Sequence, residues 1–244
     1  MLLRWLGMQL PGTEFAELHS CQGRGCNEIH GESMVLGYHW DSGCSLASHA
    51  RTSRHNAFRD VWYRAYLEAG VPARWEPSGL YMNSSARPAD VYLPPHGSDA
   101  QGEFRAIDYT GCDPRSNSSI INSLSDKVPL AATLDAEDSK RRKHRDMLRS
   151  NGFNYESFKL VPCAFESSGA WSAQCKALWK ELLAVYKSTK QVNYIRQGSK
   201  HTWAAFTFQQ MIPQRLSFQV HYWSARGSIE AIRRSRAAGF VCEA

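Results

Sequence analysis

Long hydrophobic runs are missing from this sequence. The longest apolar stretches, such as LVPCAF at 160–165, are far too short to cross a bilayer as a helix, so no membrane span is expected. The amino-terminal MLLRWLGMQLPG has one Arg and a short apolar run broken by Gly and Pro, with neither a proper hydrophobic region nor a small-residue cleavage site. It does not read as a signal peptide. No internal repeat or low-complexity tract is visible, which sets repeat architectures aside. An even cysteine count is lacking too: seven cysteines spread over 244 residues argue against a secreted disulfide framework and for a reducing compartment.

What is present is ordinary for a globular protein with a real core: 43% hydrophobic and 21% charged residues. The length permits one large domain or two small ones. With 29 Lys+Arg against 23 Asp+Glu the net charge is +6, a balance that leans toward a polyanionic partner.

Residues 1–20 read as the tail of something longer, because LLRWLGMQL has no capping signal before it and little to pack against locally. Residues 21–50 are rich in Gly, Cys, His and Ser, with little periodicity, and need a staple other than a core. The core domain is expected over 51–190. RHNAFRDVWYRAYLEAG, from Arg54 to Gly70, has helical spacing of Ala57, Val61, Tyr63, Ala65 and Leu67 and a Gly C-cap. Strand-like ARWEP, ADVYL and FRAIDYT follow, then a polar loop over 111–127 and a charged helix through DAEDSKRRKHRDMLRSNGF. FKLVPCAFES reads as a mostly buried strand and SAQCKALWKELLAVYKS as an amphipathic helix. Residues 191–244 form a helical extension, with two helices expected in 200–236. Its aromatics cover the sheet, or its IRRSR end adds a basic contact surface. The order α-β-β-β-α-β-α predicts an α/β or α+β fold, a mixed sheet with helices on its faces.

Cys21, Cys26, His39 and Cys44 have the spacing C-x4-C-x12-H-x4-C. Structural zinc needs four thiolate or imidazole ligands in two pairs, each pair close enough for one turn to aim both side chains at the ion. These four are candidate zinc ligands, with His30 or His49 as substitutes for His39; the alternative is a loop with incidental Cys and His. Cys112, Cys163, Cys175 and Cys242 are isolated and read as core or surface thiols.

Asp90 and Asp108 sit in two short runs joined by the turn-rich PPHGSDAQGE. Aspartate is a poor strand former, and a buried unpaired one is costly. Either both are turn-proximal acids in solvent, or they converge at one sheet end on a Mg²⁺ or Mn²⁺ ion that activates water for phosphodiester hydrolysis. A lysine commonly assists such sites, yet the residue two beyond Asp108 is Thr110 and the hairpin has no Lys. The following helix offers Ala136, Lys140, Lys143 and Met147, stepping by four, three and four along one face, so either lysine could reach back to the acids. Arg141, Arg142 and Arg145 fall on other faces, suited to phosphate contacts or to solvation alone. KRRKHR also reads as a nuclear-import patch.

RHNAFRD, RPADVYLP, AIDYT, AEDSKRRKH and VPCAFESSGAW, in that order after the Cys-Cys-His-Cys segment, resemble the restriction-like endonuclease domain of site-specific non-LTR retrotransposon polyproteins and related reverse-transcriptase-derived proteins. The resemblance covers about residues 15–236 and implies a PD-(D/E)XK nuclease core behind a zinc knuckle. It implies structural zinc on Cys21, Cys26, His39 and Cys44, and catalytic Mg²⁺ or Mn²⁺ held by Asp90 and Asp108. Lys140 matches the lysine displaced onto the next helix, with Lys143 close by. Glu76 falls where related folds carry an auxiliary acid, and Asp60 is a second candidate for that role. Arg54, Arg87, Arg141, Arg142 and Arg145 are candidate nucleic-acid contacts. DNA, or alternatively RNA, is the implied partner, and the nucleus the implied location.

The sequence departs from that pattern in three places. One residue separates Pro88 from Asp90, 17 residues lie between the two acids, and His144 stands where a Tyr is usual. The polymerase that normally precedes the domain is not encoded here, so the chain looks like a detached or degenerate remnant. Three readings follow: a Mg²⁺-dependent DNA endonuclease, a catalytically inactive nucleic-acid-binding remnant, or a remnant with no present role.

Overall fold

The computed structural model describes His39 and residues 44–95, 102–152, 158–189 and 207–240. A 3-10 turn, Ser45–Ala47, leads into helix α1, Ser48–Glu68. Strands β1 (Arg74–Trp75), β2 (Val91–Leu93) and β3 (Phe104–Cys112) follow, then a short helix α2 (Asn117–Ser123) and helix α3 (Ala131–Asn151). Strand β4 (Phe158–Glu166), helix α4 (Ala173–Thr189) and helix α5 (Phe208–Phe240) complete the order. The fold is mixed α/β. Its four-stranded sheet runs β1-β2-β3-β4, antiparallel across the first two junctions and parallel between β3 and β4, where α3 forms the crossover.

Alternation along β3 divides its side chains between two layers. Ile107 and Tyr109 face a core shared with Phe58 and Trp62 of α1, Leu178 and Leu182 of α4, and Ile212 and Leu216 of α5. On the other side Ala106 joins Tyr81, Tyr92 and Phe158 under Met147 and Leu148 of α3. Pro162 of β4 has no N–H to give. It is tolerated because β4 is the outermost strand of the sheet, and among the described residues its outer edge is bridged only farther along, at Phe165 opposite Trp171.

Helix α1 begins six residues before the expected start, and its buried face differs from the expected one. Phe58, Trp62, Ala65, Tyr66 and Ala69 are buried, whereas Leu67 is 46% exposed. The stripe carrying the three large aromatics wins over Ala57, Val61, Tyr63 and Leu67 because it removes more apolar area from water. The segment 111–127, read as a loop, contains α2, whose Ser116 cap accepts the Ser119 N–H at 3.2 Å.

The two helices expected in 200–236 are one, α5, over 33 residues. Pro213 does not break it because it lies in the second turn and removes a single bond near the helix start. Ile212, Leu216, Val220, Ser224, Ser228 and Ala231 form an unbroken buried stripe that holds the rest together.

Helices α1 and α5 meet closely at Gly227, where an added Cβ would stand 2.6 Å from the Cβ of Ala50. Gly227→Ala is therefore expected to destabilise the protein by about 1–3 kcal/mol through overpacking, read as a lower urea midpoint.

Candidate active site

Asp90 precedes β2, and its backbone is held from both sides. Its N–H donates to the Ile107 carbonyl at 2.9 Å, and its carbonyl accepts the Glu76 N–H at 2.8 Å. Its carboxylate spans two elements: Oδ2 accepts the Tyr109 N–H at 2.7 Å and Oδ1 lies 3.0 Å from His55 Nε2 on α1. An aspartate stands here, despite its poor strand propensity, because its side chain satisfies a β3 backbone donor.

Asp108 lies in the middle of β3, opposite Pro162 of β4 and on the strand face that alternation shares with Ala106, toward α3. Lys140 of α3 donates to its carboxylate at 2.9 Å. Burial pushes the Asp108 carboxyl up to about 6, and the negative charge of Asp90 adds to the rise, while the Lys140 and His55 charges oppose it. Two carboxylates thus sit on β3 and just before β2, each matched by a basic side chain from a different helix. The side chains of Asp90 and Asp108 are 13% and 14% exposed, so neither acid is turned to solvent.

The inner face of α3 is rotated from the expected one. Thr133, Glu137, Lys140, His144 and Met147 point at the sheet, whereas Lys143 is exposed. Of the two candidate lysines, Lys140 alone is placed on an acid. The rotation has a cause in Glu137, which is buried and whose Oε1 accepts the Ala164 N–H of β4 at 3.2 Å, supplying an acceptor inside the α3 layer. His144 takes the position next to Tyr81, with the phenol oxygen hydrogen-bonded to Nδ1 at 2.6 Å. Burial lowers the His144 pKa, and burial together with the Asp108 charge raises the Tyr81 phenol to about 12, so both groups favour their neutral forms.

Glu76 and Asp60, the candidate auxiliary acids, are held by arginines. Arg59, itself buried, donates to Glu76 Oε1 and through Nε and Nη2 to Asp60 Oδ1 at 3.0 and 2.9 Å. Arg87 donates to Glu76 Oε2 at 2.5 Å. Glu76 has φ 39°, a left-handed backbone that a Glu side chain adopts only under constraint; the Asp90 bond and the two arginines supply it.

Arg54 corrects another expectation. It is 3% exposed and donates to Ser224 of α5 at 2.8 Å, so it ties two helices together instead of meeting a nucleic acid. Arg87, Arg142 and Arg145 are exposed, as is Arg141, which also pairs with Asp138 and Glu137. Cys21 and Cys26 lie outside the described residues. His39 and Cys44 are both buried, and Cys44 packs with Ala47, Ala231 and Ile232.

Sequence reasoning missed His55 and Glu137. His55 stands inside the quoted RHNAFRD, yet nothing in helical spacing reveals which strand acid it meets. Glu137 precedes Lys140 by three residues, which puts both on one face and was the available signal.

Among the described residues, no three His, Cys, Asp or Glu side chains form a metal-holding cluster. No described helix is long and apolar enough to cross a membrane. Compared with protein-family models and with curated proteins, the chain matches none.

Proposed function

We propose that this chain is a metal-dependent DNA endonuclease of the restriction-like PD-(D/E)XK type, hydrolysing phosphodiester bonds. The observation that carries the reading is the lysine of α3 seated on the mid-strand acid of β3, with a second acid just before the neighbouring strand. A solvated basic helix has no reason to direct one of its lysines inward onto a buried carboxylate. The zinc knuckle, the retroelement origin and a nuclear location belong to the same proposal.

The donor set fits a hard divalent cation. Mg²⁺ takes oxygen ligands and keeps several waters, so one or two carboxylates suffice, and Asp90 and Asp108 are the residues that would hold it. When bound, the ion supplies Lewis-acid polarisation of the phosphate and a more acidic water. The chain's own residues do the positioning. The Tyr109 N–H fixes one oxygen of Asp90, His55 fixes the direction of the other, and Lys140 neutralises Asp108 and stands where it can orient a nucleophile or offset charge on the phosphate. Exposed Arg142 and Arg145 lie on other faces of α3 than Lys140 and suit backbone phosphates.

One observation favours the alternative of an inactive nucleic-acid-binding remnant: both oxygens of Asp90 are already engaged within the protein. Plasmid nicking separates the two. The purified protein is expected to nick supercoiled DNA in Mg²⁺ or Mn²⁺ but not in chelator, and an identically prepared Asp90→Ala variant is expected to lose the activity. Equal cleavage by both would expose a contaminant, and no cleavage with retained, salt-sensitive DNA binding would establish the binding remnant. The two lysines are expected to separate in the same assay. Lys140→Met should lower nicking about 100-fold or more, whereas Lys143→Met should change it only through weaker DNA binding at raised salt.

A further inference from the structure

Helix α5 has a second face. Opposite its buried stripe, Phe218, Tyr222 and Ile229 are 46%, 42% and 50% exposed and fall on one face of the helix. The aromatic rings in it are ordered. Phe218 and Tyr222 stack with centroids 5.7 Å apart and planes at 19°, and Tyr222 stands edge-on to Trp223 at 5.2 Å. Arg226 lies over the Trp223 ring at 5.1 Å and donates to the Tyr222 hydroxyl at 3.3 Å and to Glu230 at 2.8 Å.

An exposed aromatic strip of this kind suits either a second copy of the same helix or the faces of unpaired bases. Charge decides between them. From Phe208 to Phe240 the sequence has five arginines and one acidic residue, Glu230. Apposing two copies would double that excess of positive charge along one interface, whereas a nucleic-acid strand would neutralise it. We propose that the outer face of α5 is a stacking platform for single-stranded nucleic acid, with bases on Phe218 and Tyr222 and phosphates toward the arginines. Aromatic stacking tolerates any base, so this platform binds without strong sequence preference. The Arg54–Ser224 bond fastens this part of α5 to α1, the helix that carries His55, which in turn meets Asp90.

The proposal does not need the chain to cleave, and it is tested in chelator, where a metal-dependent site is silent. The full chain is titrated against a labelled oligothymidylate of about 20 nucleotides and against a duplex of equal length, by fluorescence anisotropy across a salt series. The Phe218→Ala/Tyr222→Ala double variant is expected to bind the single strand at least about 10-fold more weakly, with an unchanged salt slope and duplex affinity, while Tyr222→Phe retains wild-type binding. Both positions are exposed, so melting temperatures close to wild type are expected and separate lost contact from lost fold. Unchanged single-strand affinity, or an equal loss on both ligands, would overturn the proposal. So would sedimentation showing a wild-type dimer that the double variant converts to monomer, since the second copy would then be the occupant.

Discussion

Asp108→Asn is expected to abolish metal-dependent nicking and to make the metal-free protein more stable at neutral pH. The two effects have one cause. Asp108 is buried on β3, and its carboxyl is pushed up to about 6 from an ordinary 3.8, so the folded state holds a proton that the unfolded state has already released between those values. A group raised in this way contributes stability that is complete below about 3.8 and lost as pH rises through about 6. Above that window the folded protein carries an ionised carboxylate that burial disfavours, which costs about 1–3 kcal/mol. Asparagine keeps an acceptor for Lys140 without that charge, but it gives a divalent cation no anionic ligand. Urea denaturation in chelator at pH 8 and pH 4.5 checks the stability half: the variant should exceed wild type at pH 8 and lose most of that advantage at pH 4.5. A variant less stable than wild type at pH 8 would mean that the Lys140 ion pair outweighs the burial of the charge. Nicking that survives the substitution would remove Asp108 from the chemistry.

The second large effect is expected in the core beneath the site. Trp62→Ala should cost about 3–5 kcal/mol, a major part of the stability of an ordinary domain. Trp62 is fully buried, with ring centroids of Tyr109 at 5.7 Å, Trp171 at 5.8 Å, Tyr66 at 5.9 Å and Trp179 at 6.1 Å. It therefore joins α1, β3 and α4 at the point where Tyr109, the residue after Asp108, presents its N–H to Asp90. Trp62→Phe should cost clearly less, because it keeps an aromatic ring in place and removes an indole N–H that is buried without a hydrogen-bond partner among the described residues. Guanidinium or urea unfolding of both variants checks the order. Equal losses would show that a phenyl ring recovers none of the indole's packing, so that neither the retained ring nor removal of the unpaired donor offsets the cost at this position.

The sequence by itself determined most of the element order, but not helix α2 within 111–127 or the continuity of α5. Apolar periodicity located α1 and α4, the charged run located α3, and the short apolar runs located the strands, because these signals are local. The same local information offered Asp90 and Asp108 in two neighbouring short runs, and Lys140 or Lys143 on the helix after them. Sequence did not decide which way a helix faces when two stripes compete. In α1 the aromatic stripe prevailed because Phe58, Trp62 and Tyr66 have a sheet to cover.

In α3 the contest between Lys140 and Lys143 was settled by a residue outside the motif. Glu137 turns inward to meet the Ala164 N–H, a partner 27 residues away in sequence, and carries Lys140 toward Asp108 with it. His55 reaches Asp90 and Arg54 reaches Ser224 for the same kind of reason: their partners are 35 and 170 residues distant. A charged side chain on a helix is read as solvated until a buried group elsewhere in the chain needs it. Burial and pairing across such separations exist only once the sheet and its two helical layers have assembled, so the tertiary structure alone could assign these residues.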